Sequence, residues 1–496
     1  MKSNINKKVI IIGGGITGLT AGVYAQKCGF DTTILESHSI AGGNCTSWKR
    51  KGYLFEGGMH WLSGSNKNER INKLWRYIGA LNDNVKIHYD EPFVEYNHNG
   101  TPICLYRDVN RTEQHFLELS PQDAKEIKRF CKNIRKVQKL SMPISDLKGV
   151  KATKRTHPPL SLFFAAISAN FLMRKYGKIS NVDYANRFSH EGIRNFIGAL
   201  SMGEAISMLF FTMGTLARGD GGFPEGGSLP FVGRIEQHYT KLGGKIHFNA
   251  RADRVVVENG KATGVISGNK HFPADAVIVT SDTMAIEKLF DALPNCAWLD
   301  EMRKKTEPTN CALVSLGINA DLKKYPARPL IRLKDPVQIG NITCKSLMTN
   351  NYACDPVYSP EGKTAMTIQL YGDTYDFWKK ARAENRYEEE KEKIGNAVIE
   401  ALTAYIPEMA GKVEVCDVAT QLTYERYCGT WKGSFMTAIT GALGKVYPSV
   451  IKGLDNVYFA GQRIMPPGGL PPALMTGRTA VQYLCRDTKT LFISEE

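Results

Sequence analysis

The feature that most constrains this chain is a glycine-rich loop close to its start. Lys8–Ile12 is a short, β-branched, apolar run that is typical of a buried parallel strand. Gly13-Gly14-Gly15-Ile16-Thr17-Gly18 follows at once and fits the pattern GxGxxG. Leu19–Cys28 then predicts a helix, and Asp31–Leu35 predicts a second strand that ends in Glu36. This order predicts a dinucleotide-binding βαβ unit of the Rossmann type.

The residues of this loop are suited to holding a pyrophosphate. Gly13 permits the tight turn, Gly15 lets the backbone approach the phosphates, and Gly18 lets the helix pack closely on the sheet. The helix N-terminus presents free N–H groups and a partial positive charge. Glu36 follows Gly18 by 18 residues, where its carboxylate can accept hydrogen bonds from a ribose. An unrelated glycine-rich loop is the alternative, and the flanking strand, helix and acid argue against it.

Three later blocks decide between NAD and FAD. The first holds two glycine pairs, Gly42-Gly43 and Gly57-Gly58, and the second is the run Gly219–Ser228 followed by a helical stretch and a hairpin. The third is Gly461-Gln462-Arg463-Ile464-Met465-Pro466-Pro467-Gly468-Gly469-Leu470-Pro471-Pro472-Ala473. This order resembles the FAD-dependent amine oxidase superfamily. Within it, the chain is most similar to the bacterial-type phytoene desaturases, carotenoid isomerases and retinol saturases, over nearly its whole length.

The resemblance implies a non-covalently bound FAD. Its predicted binding residues are Gly13, Gly15, Ile16, Thr17, Gly18, Glu36, Gly42, Gly43, Asn44, Gly58, His60, Ala252, Gly461, Leu470 and Ala473. The last helix, predicted over Ala473–Cys485 with Pro471 and Pro472 where it begins, would direct its N-terminus at the flavin and favour the reduced form. No second GxGxxG followed by a helix and an acid occurs, so a separate NAD(P)H domain is not expected and the electron donor or acceptor stays open.

The resemblance also implies the reaction class, which is hydride exchange at C–C or C=C bonds of a hydrophobic isoprenoid or polyene lipid. The family's C-terminal pattern, GxGTHPGxGIPGV, is altered here. Met465 replaces its histidine, Arg463 a glycine, and Pro467 and Pro472 two further glycines. These changes lie beside the expected flavin, so desaturation, isomerisation and saturation all stay open.

Four charged residues near the expected flavin are candidates for proton handling or substrate polarisation. They are Glu425, Arg426, Lys432 and Arg463. For each, a structural ion pair or a solvated charge is the alternative. A metal site is not expected, because the ten histidines show no HxxxH or similar spacing. A serine hydrolase is not expected either, because no GxSxG occurs.

The middle of the chain is basic and then apolar. Residues 125–155 hold 11 Lys/Arg and only two acids, within a chain of net charge +15. Pro158–Met173 follows, apolar but too short to span a bilayer, and ends before Arg174 and Lys175. This pattern predicts a segment that lies in a membrane interface beside a patch that attracts anionic lipid. A buried helix is the alternative. Nucleic-acid binding is not expected, since no recognition motif accompanies the charge.

Cysteine usage and hydropathy indicate the compartment. The 11 cysteines form no CxxC pair, which argues against a disulfide framework and favours a reducing compartment. The run Val9–Ile12 is too short for the hydrophobic region of a signal peptide. We therefore expect a cytoplasmic protein, peripheral on the inner face of the membrane.

We predict an α/β fold with a Rossmann-type, glutathione-reductase-like FAD domain. Its segments are 1–90, 216–285 and 440–496. A mixed α+β substrate domain covers 91–120 and 286–439, with strands on either side of Asn99-Gly100. A helical lid or membrane-associating region covers 121–215. Two other functions remain open at this stage.

The first of these alternatives is a flavin amine oxidase, for which Tyr424, Tyr427 and Trp431 could supply an aromatic cage. The second is a non-catalytic flavoprotein that binds lipid or a partner.

Overall fold

The structure is a computed structural model and describes residues 7–200, 205–439 and 445–495. The predicted segments 1–90, 121–215 and 440–496 therefore lie partly outside the described residues, at 1–6, 201–204, 440–444 and 496. In chain order, the β-strands are β1 Lys8–Ile12, β2 Asp31–Leu35, β3 Ser47–Arg50, β4 Tyr53–Glu56, β5 Ile87–His88, β6 Val94–His98, β7 Thr101–Leu105, β8 Phe223–Pro224, β9 Lys245–His247, β10 Arg254–Glu258, β11 Lys261–Ser267, β12 Lys270–Pro273, β13 Ala276–Val279, β14 Thr306–Thr309, β15 Cys311–Ile318, β16 Pro329–Ile339, β17 Ile342–Asn351, β18 Thr364–Tyr371, β19 Val413–Ala419, β20 Met436–Ile439 and β21 Val457–Phe459. The α-helices are α1 Ile16–Lys27, α2 Arg70–Tyr77, α3 Val109–Leu119, α4 Ala124–Gln138, α5 Leu160–Tyr176, α6 Asn181–Ala185, α7 Glu191–Ala199, α8 Ile206–Ala217, α9 Ser228–Lys241, α10 Ala297–Lys305, α11 Tyr375–Ala383, α12 Tyr387–Tyr405, α13 Gln421–Cys428 and α14 Leu470–Asp487.

A five-stranded parallel sheet forms the base of the molecule, in the order β21-β13-β1-β2-β9. Strand β1 is central and apolar on both faces, as expected for a buried parallel strand. Helices α1, α9 and α14 cover one face. The antiparallel sheet β10-β11-β12 covers the other through Val255 and Val265. The predicted Rossmann-type α/β fold is confirmed.

A second, seven-stranded sheet has the order β19-β15-β18-β17-β16-β6-β7. Successive side chains along each of its strands point to opposite faces of the sheet. On one face, Ile368 and Leu370 of β18 pack against α11 and α12. Gln369 and Tyr371 of the same strand therefore point the opposite way, toward the cavity described below.

The helices α3 to α8 lie beside the end of this sheet and share a core with strands β6 and β7. Helix α5 contributes Ala169, Leu172 and Tyr176 to that core. Its other side carries large apolar residues that are exposed. One face of α5 is therefore buried and the other is exposed, and the contact with a membrane interface stays a prediction. None of the helices in the described ranges is both long enough and apolar enough to cross a bilayer.

The predicted elements are present, with shifts at their ends. Hairpin turns occur at Asn99-Gly100 and Asn259-Gly260, where all four residues have positive φ. The last helix begins at Leu470 rather than Ala473, and Pro471 and Pro472 lie in its first turn. Proline is tolerated there because those backbone N–H groups have no partner within the helix.

Candidate functional site

The β1–α1 loop has the geometry of a phosphate cradle. Gly13 has φ +102°, and a Cβ added at Gly18 would lie 1.9 Å from the Gly13 carbonyl oxygen. Both positions therefore require glycine. Thr280, which follows β13, donates its hydroxyl to the carbonyl oxygen of Ile12 at 2.8 Å and to that of Gly13 at 3.1 Å. The loop is thus fixed from the neighbouring strand, with the N-terminus of α1 open.

The first glycine pair lies directly against this loop. Gly42 donates its N–H to the carbonyl oxygen of Gly14 at 2.9 Å, and Gly15 and Gly42 form a parallel bridge. A Cβ at Gly43 would come within 3.4 Å of the Cα of Gly15. Glu36 accepts from the Gly14 N–H at 2.6 Å, so its carboxylate is held at the rim of the same groove. Backbone atoms form this groove, as a pyrophosphate requires.

The second glycine pair is held by a buried carboxylate, Glu56, at the end of β4. Oε1 accepts from the N–H groups of Gly58 at 2.9 Å and Met59 at 2.8 Å, and from the Ser228 hydroxyl at 2.5 Å. Oε2 accepts from the Ser228 N–H at 2.8 Å and from the hydroxyls of Ser47 and Tyr358 at 3.1 Å each. Four of these six hydrogen bonds join the loop after β4 to the N-terminus of α9, and the other two come from Ser47 and Tyr358.

Arg463, a predicted catalytic candidate in the C-terminal block, is buried in an ion pair. Arg463 is 3 % exposed and forms a two-pronged ion pair with Asp282, with Nε–Oδ1 2.7 Å and Nη2–Oδ2 2.6 Å. Nη2 also donates to the Ser434 hydroxyl at 2.8 Å. Nη1 has no hydrogen-bond partner among the described residues. Gln462 accepts from the N–H of Gly469 at 2.7 Å and so supports the turn before α14.

These elements surround one continuous cavity of about 2720 Å³. All of the predicted cofactor-binding residues line it except Gly18, which lies behind the loop that it packs against. The buried polar atoms of its lining residues that lack partners among the described residues include Arg463 Nη1 and Asn44 Oδ1. A cation and an amide carbonyl in these positions fit the phosphates and the polar groups of FAD. The residues present therefore fit this cofactor.

Glu425 and Arg426 lie at the rim of the cavity, exposed on α13. Glu425 accepts from the Tyr375 hydroxyl at 2.7 Å, and the Arg426 guanidinium lies 5.1 Å from the ring centre of Tyr427. Lys432 does not line the cavity among the described residues, and its ammonium lies 5.3 Å from the ring centre of the neighbouring Trp431.

Tyr424, a candidate for the aromatic cage, and Cys45, which follows the first glycine pair, are both buried. The Tyr424 hydroxyl donates to the Gly57 carbonyl oxygen at 3.0 Å and the residue does not line the cavity, so a cage with Tyr427 and Trp431 is not formed. Burial raises the pKa of Cys45 to about 12, which keeps the thiol protonated and unreactive at neutral pH. No cluster suited to a metal ion occurs in the described part of the chain.

A polar cluster that the sequence did not predict lies on the cavity wall. Gln369 Nε2 lies 2.6 Å from Nε2 and 2.8 Å from Nδ1 of His60, and Gln369 Oε1 accepts from the Tyr371 hydroxyl at 2.5 Å. Arg328 donates to the His60 carbonyl oxygen at 2.7 Å and pairs with Asp90 at 3.1 Å. Desolvation, with the Arg328 charge as the second cause, lowers the pKa of His60 to about 4, so its ring is neutral at pH 7.

The fold and this cavity together define an FAD-dependent oxidoreductase. The sequence profile of the family described as flavin containing amine oxidoreductase matches residues 16–485, and the chain belongs to this family. Among solved structures, putrescine oxidase superposes with a TM-score of 0.61 at 16 % identity, over 97 % of this chain and 99 % of that one. An oxidoreductase from Methanosarcina mazei gives 0.59 at 19 % identity, over 96 % and 100 %. At these identities the likeness concerns the fold.

Curated relatives lie among enzymes of isoprenoid lipids. The chain is 21 % identical to all-trans-retinol 13,14-reductase of Danio rerio, over 94 % of this chain and 85 % of the relative. It is 22 % identical to the chloroplastic prolycopene isomerase of Daucus carota, over 96 % and 80 %. It is 24 % identical to the lycopene-forming phytoene desaturase of a Paracoccus strain, over 56 % and 55 %, so that match spans about half of each chain. The predicted family is confirmed.

Several residues that build the site escaped sequence reasoning. Thr280 and Asp282 follow β13, which lies beside β1 in the parallel sheet. Because the carboxyl ends of neighbouring parallel strands meet at one edge, this position was a usable signal. Gln369, Tyr371 and Arg328 carry no such signal, since their meeting with His60 depends on how the second sheet sits over the first.

Proposed function

We propose that this protein exchanges hydride with C–C or C=C bonds of a hydrophobic isoprenoid or polyene lipid, using FAD. The observation that carries the proposal is the continuity of the cavity. One end contains the dinucleotide groove, and the other runs between α5 and α8 past an apolar wall. That wall is formed by Ala166, Ala169, Met173, Met208, Phe211 and Met348. A site of this kind suits a long apolar chain better than a small amine.

The names of the relatives support the same substrate class. Retinol, prolycopene and phytoene, named for three of them, are polyene or isoprenoid lipids. Amine oxidation is supported by the general description of the family and by structural neighbours under 20 % identical, putrescine oxidase and cyclohexylamine oxidase among them. The aromatic cage proposed for that alternative is not assembled, since Tyr424 is used within the protein core.

Bound FAD would supply the acceptance and return of hydride. The chain's own residues hold and shield it. Backbone N–H groups of the β1–α1 loop would bind its pyrophosphate, and Glu36 its ribose. The N-terminus of α14 lies at the cavity, where the helix dipole favours negative charge. The apolar wall excludes water from the reacting carbons.

Of the four charged candidates, we propose two different roles. Arg463 pairs with Asp282 and lines the cavity, and its Nη1 has no partner among the described residues, which suits binding of an anionic part of the cofactor. Glu425 and Arg426 line the rim and stay candidates for proton handling. Lys432 acts through its contact with Trp431, as a positioning residue for that wall.

Helix α5 supports a membrane contact. Five apolar residues on its outer face are exposed by 54–78 %, and they are Leu160, Phe163, Phe164, Ile167 and Phe171. Their spacing of three and four residues places them on one stripe of the helix. Lys154, Arg155, Arg174 and Lys175 flank the helix at its two ends. An apolar stripe between basic ends suits a surface of anionic lipid, and we place the protein peripherally on the cytoplasmic leaflet.

This stripe lies on the opposite side of the helix from residues that line the cavity. Ala166, Ala169, Asn170 and Met173 of α5 belong to the cavity wall. Helix α5 alone would therefore separate the bilayer from the cavity. A flotation assay with liposomes of neutral or anionic lipid tests the contact. The triple variant Phe163→Ser/Phe164→Ser/Phe171→Ser should stop floating, whereas the control Val357→Ser/Leu491→Ser, also exposed apolar residues, should float normally.

The reaction itself is tested by anaerobic absorbance of the FAD-loaded protein with liposomes that carry phytoene, coloured carotenoids or retinol. Loss of the oxidised flavin absorbance with a more unsaturated product establishes desaturation. A requirement for pre-reduced flavin with a geometric isomer establishes isomerisation, and a saturated product with flavin reoxidation establishes saturation. No product in any redox state, while amines reduce the flavin, would contradict the proposal and favour amine oxidation.

A further inference from the structure

The proposed function assigns no role to Gln369 and Tyr371, which belong to the polar cluster on the cavity wall. His60, Gln369 and Tyr371 all line the cavity, and Asn310 lies beside them at the start of β15. The Asn310 carbonyl accepts from the Gly372 N–H at 3.1 Å, which places it next to Tyr371 across the sheet. The cluster His60, Asn310, Gln369 and Tyr371 is called the polar station below.

The polar station keeps unused hydrogen-bonding capacity. Asn310 is 2 % exposed and its Oδ1 has no partner among the described residues, whereas its Nδ2 donates to Asp373 at 2.9 Å. The Gln369 amide nitrogen has two N–H groups, and its recorded contacts are with the single ring of His60. The Tyr371 oxygen donates to Gln369 and keeps lone pairs. The Gln369 amide and the Tyr371 hydroxyl thus keep a donor and an acceptor available at the cavity wall.

A purely hydrocarbon ligand would bury these groups without partners. A buried donor or acceptor left unsatisfied costs roughly 1–3 kcal/mol. A hydroxyl group can donate one hydrogen bond and accept two, which matches the mixture of donors and an acceptor at the station. The residues that continue the cavity are apolar and include Phe93, Met173, Met208, Phe211 and Met348. The cavity therefore matches an amphiphile with one polar end.

The local charges indicate which oxygen fits. The ring of His60 is neutral at pH 7, and the guanidinium of Arg328 is already paired with Asp90 and bonded to the His60 carbonyl. Asp373, bonded to Asn310, also lines the cavity and would repel a carboxylate. The station therefore favours a neutral oxygen over an anionic one.

We propose that the substrate is a polyene or isoprenoid alcohol whose hydroxyl is held by the polar station. This inference rests on the proposed function and narrows its substrate class, since it excludes pure hydrocarbons as preferred ligands. Gln369 and Tyr371 are then specificity-determining residues. Their loss should remove the preference for the alcohol and leave the binding of the apolar chain largely intact.

The test is a binding titration of the FAD-loaded protein in detergent micelles, followed by quenching of tryptophan fluorescence, with three probes. They are all-trans-retinol, its deoxy analogue with a methyl group in place of CH₂OH, and retinoic acid. We expect retinol to bind at least about tenfold more tightly than the deoxy analogue, and retinoic acid more weakly than retinol. Because the micelles are identical for every variant, a change in the preference between variants reports on the protein alone.

Tyr371→Phe removes one oxygen atom and Gln369→Leu keeps the approximate volume, and each should reduce the preference to about threefold or less. Gln338→Leu, at an exposed glutamine of the same sheet, should leave it unchanged. Equal binding of retinol and the deoxy analogue, a preference that survives both variants, or tightest binding of retinoic acid would each overturn the inference. If the deoxy analogue binds as well as retinol and also changes the flavin absorbance, the alcohol is excluded and the proposed function stands. If no probe binds, both fail together.

Discussion

Glu56 offers the sharpest test of how the second glycine pair is held. It is fully buried and accepts six hydrogen bonds, three on each oxygen. Glu56→Gln keeps the shape of the side chain but replaces one oxygen by an NH₂ group, which then faces donors. If the NH₂ group takes the place of Oε2, the hydroxyls of Ser47 and Tyr358 can rotate, but the Ser228 N–H has no acceptor left.

The magnitude follows from this geometry. The unpaired Ser228 N–H costs roughly 1–3 kcal/mol. The three hydrogen bonds that Oε1 still accepts each weaken by about 0.5–1 kcal/mol, because the acceptor is now neutral instead of charged. The sum over the site is about 3–6 kcal/mol. With an unfolding entropy of roughly 2.1 cal/mol/K per residue, a chain of 496 residues loses about 1 °C in Tm for each kcal/mol. Glu56→Gln should therefore lower Tm by about 3–6 °C.

The same change should loosen Gly58 and weaken FAD binding about tenfold or more, because the loop after β4 lines the cavity. Thermal melting measures the first effect, and titration of the stripped protein with FAD, followed by flavin fluorescence, measures the second. Glu400→Gln, at an exposed glutamate of α12, is the matched control. If both variants melt alike and bind FAD alike, Glu56 does not hold the loop and the reasoning is wrong.

Three further predictions concern buried charges. Arg463→Met should destabilise the protein and weaken FAD binding, because it leaves the Asp282 carboxylate buried without its partner. Adding Asp282→Asn removes that unpaired charge and should restore Tm but not FAD affinity. A restored affinity would show that Arg463 does not contact the cofactor. Folding lowers the pKa of His60 from 6.5 to about 4, so the unfolded chain takes up a proton at a higher pH than the folded protein does. The free energy of unfolding of the FAD-free protein should therefore drop by up to about 3 kcal/mol as the pH falls from 6.5 to 4. Urea unfolding across that range should show a flatter profile for His60→Gln, and an unchanged slope would contradict the lowered pKa. Asp146→Ala leaves the fully buried Arg478 with one fewer partner and should cost about 3–5 kcal/mol in urea unfolding, at low and at 1 M salt alike, whereas strong salt dependence would place the pair in water.

Sequence patterns predicted what is local along the chain. The strand, loop, helix and acid of residues 8–36 are consecutive, so one motif encodes their meeting, and Gly13 and Gly18 have the backbone constraints that the motif implies. The hairpins at Asn99-Gly100 and Asn259-Gly260 are equally local. Helix α14 was predicted over Ala473–Cys485, with Pro471 and Pro472 where it begins, and it starts three residues earlier, with both prolines in its first turn.

Contacts between segments that are distant along the chain could not be predicted from sequence patterns. Arg463 and Asp282 are 181 residues apart, and a charged side chain near a flavin suggests catalysis as readily as an ion pair. Helix α5 was ambiguous for a different reason. Its sequence is apolar all round, and only its neighbours decide that Leu172 is buried while Phe171 is exposed. Hydropathy alone could not separate a buried helix from one with a free apolar stripe.

The two ends of the cavity together predict which end of the substrate enters first. A lipid alcohol in a bilayer lies with its hydroxyl at the surface and its chain among the other lipids. To bring the hydroxyl to His60 and Gln369, beyond the wall of α5 and α8, the molecule must enter with the hydroxyl first and leave its chain against α5. A long-chain ester of the same alcohol has no hydroxyl and carries bulk at the leading end, so it should neither bind nor react. The same fluorescence titration with retinyl palmitate measures this, and binding as tight as that of retinol would show that the chain end enters first.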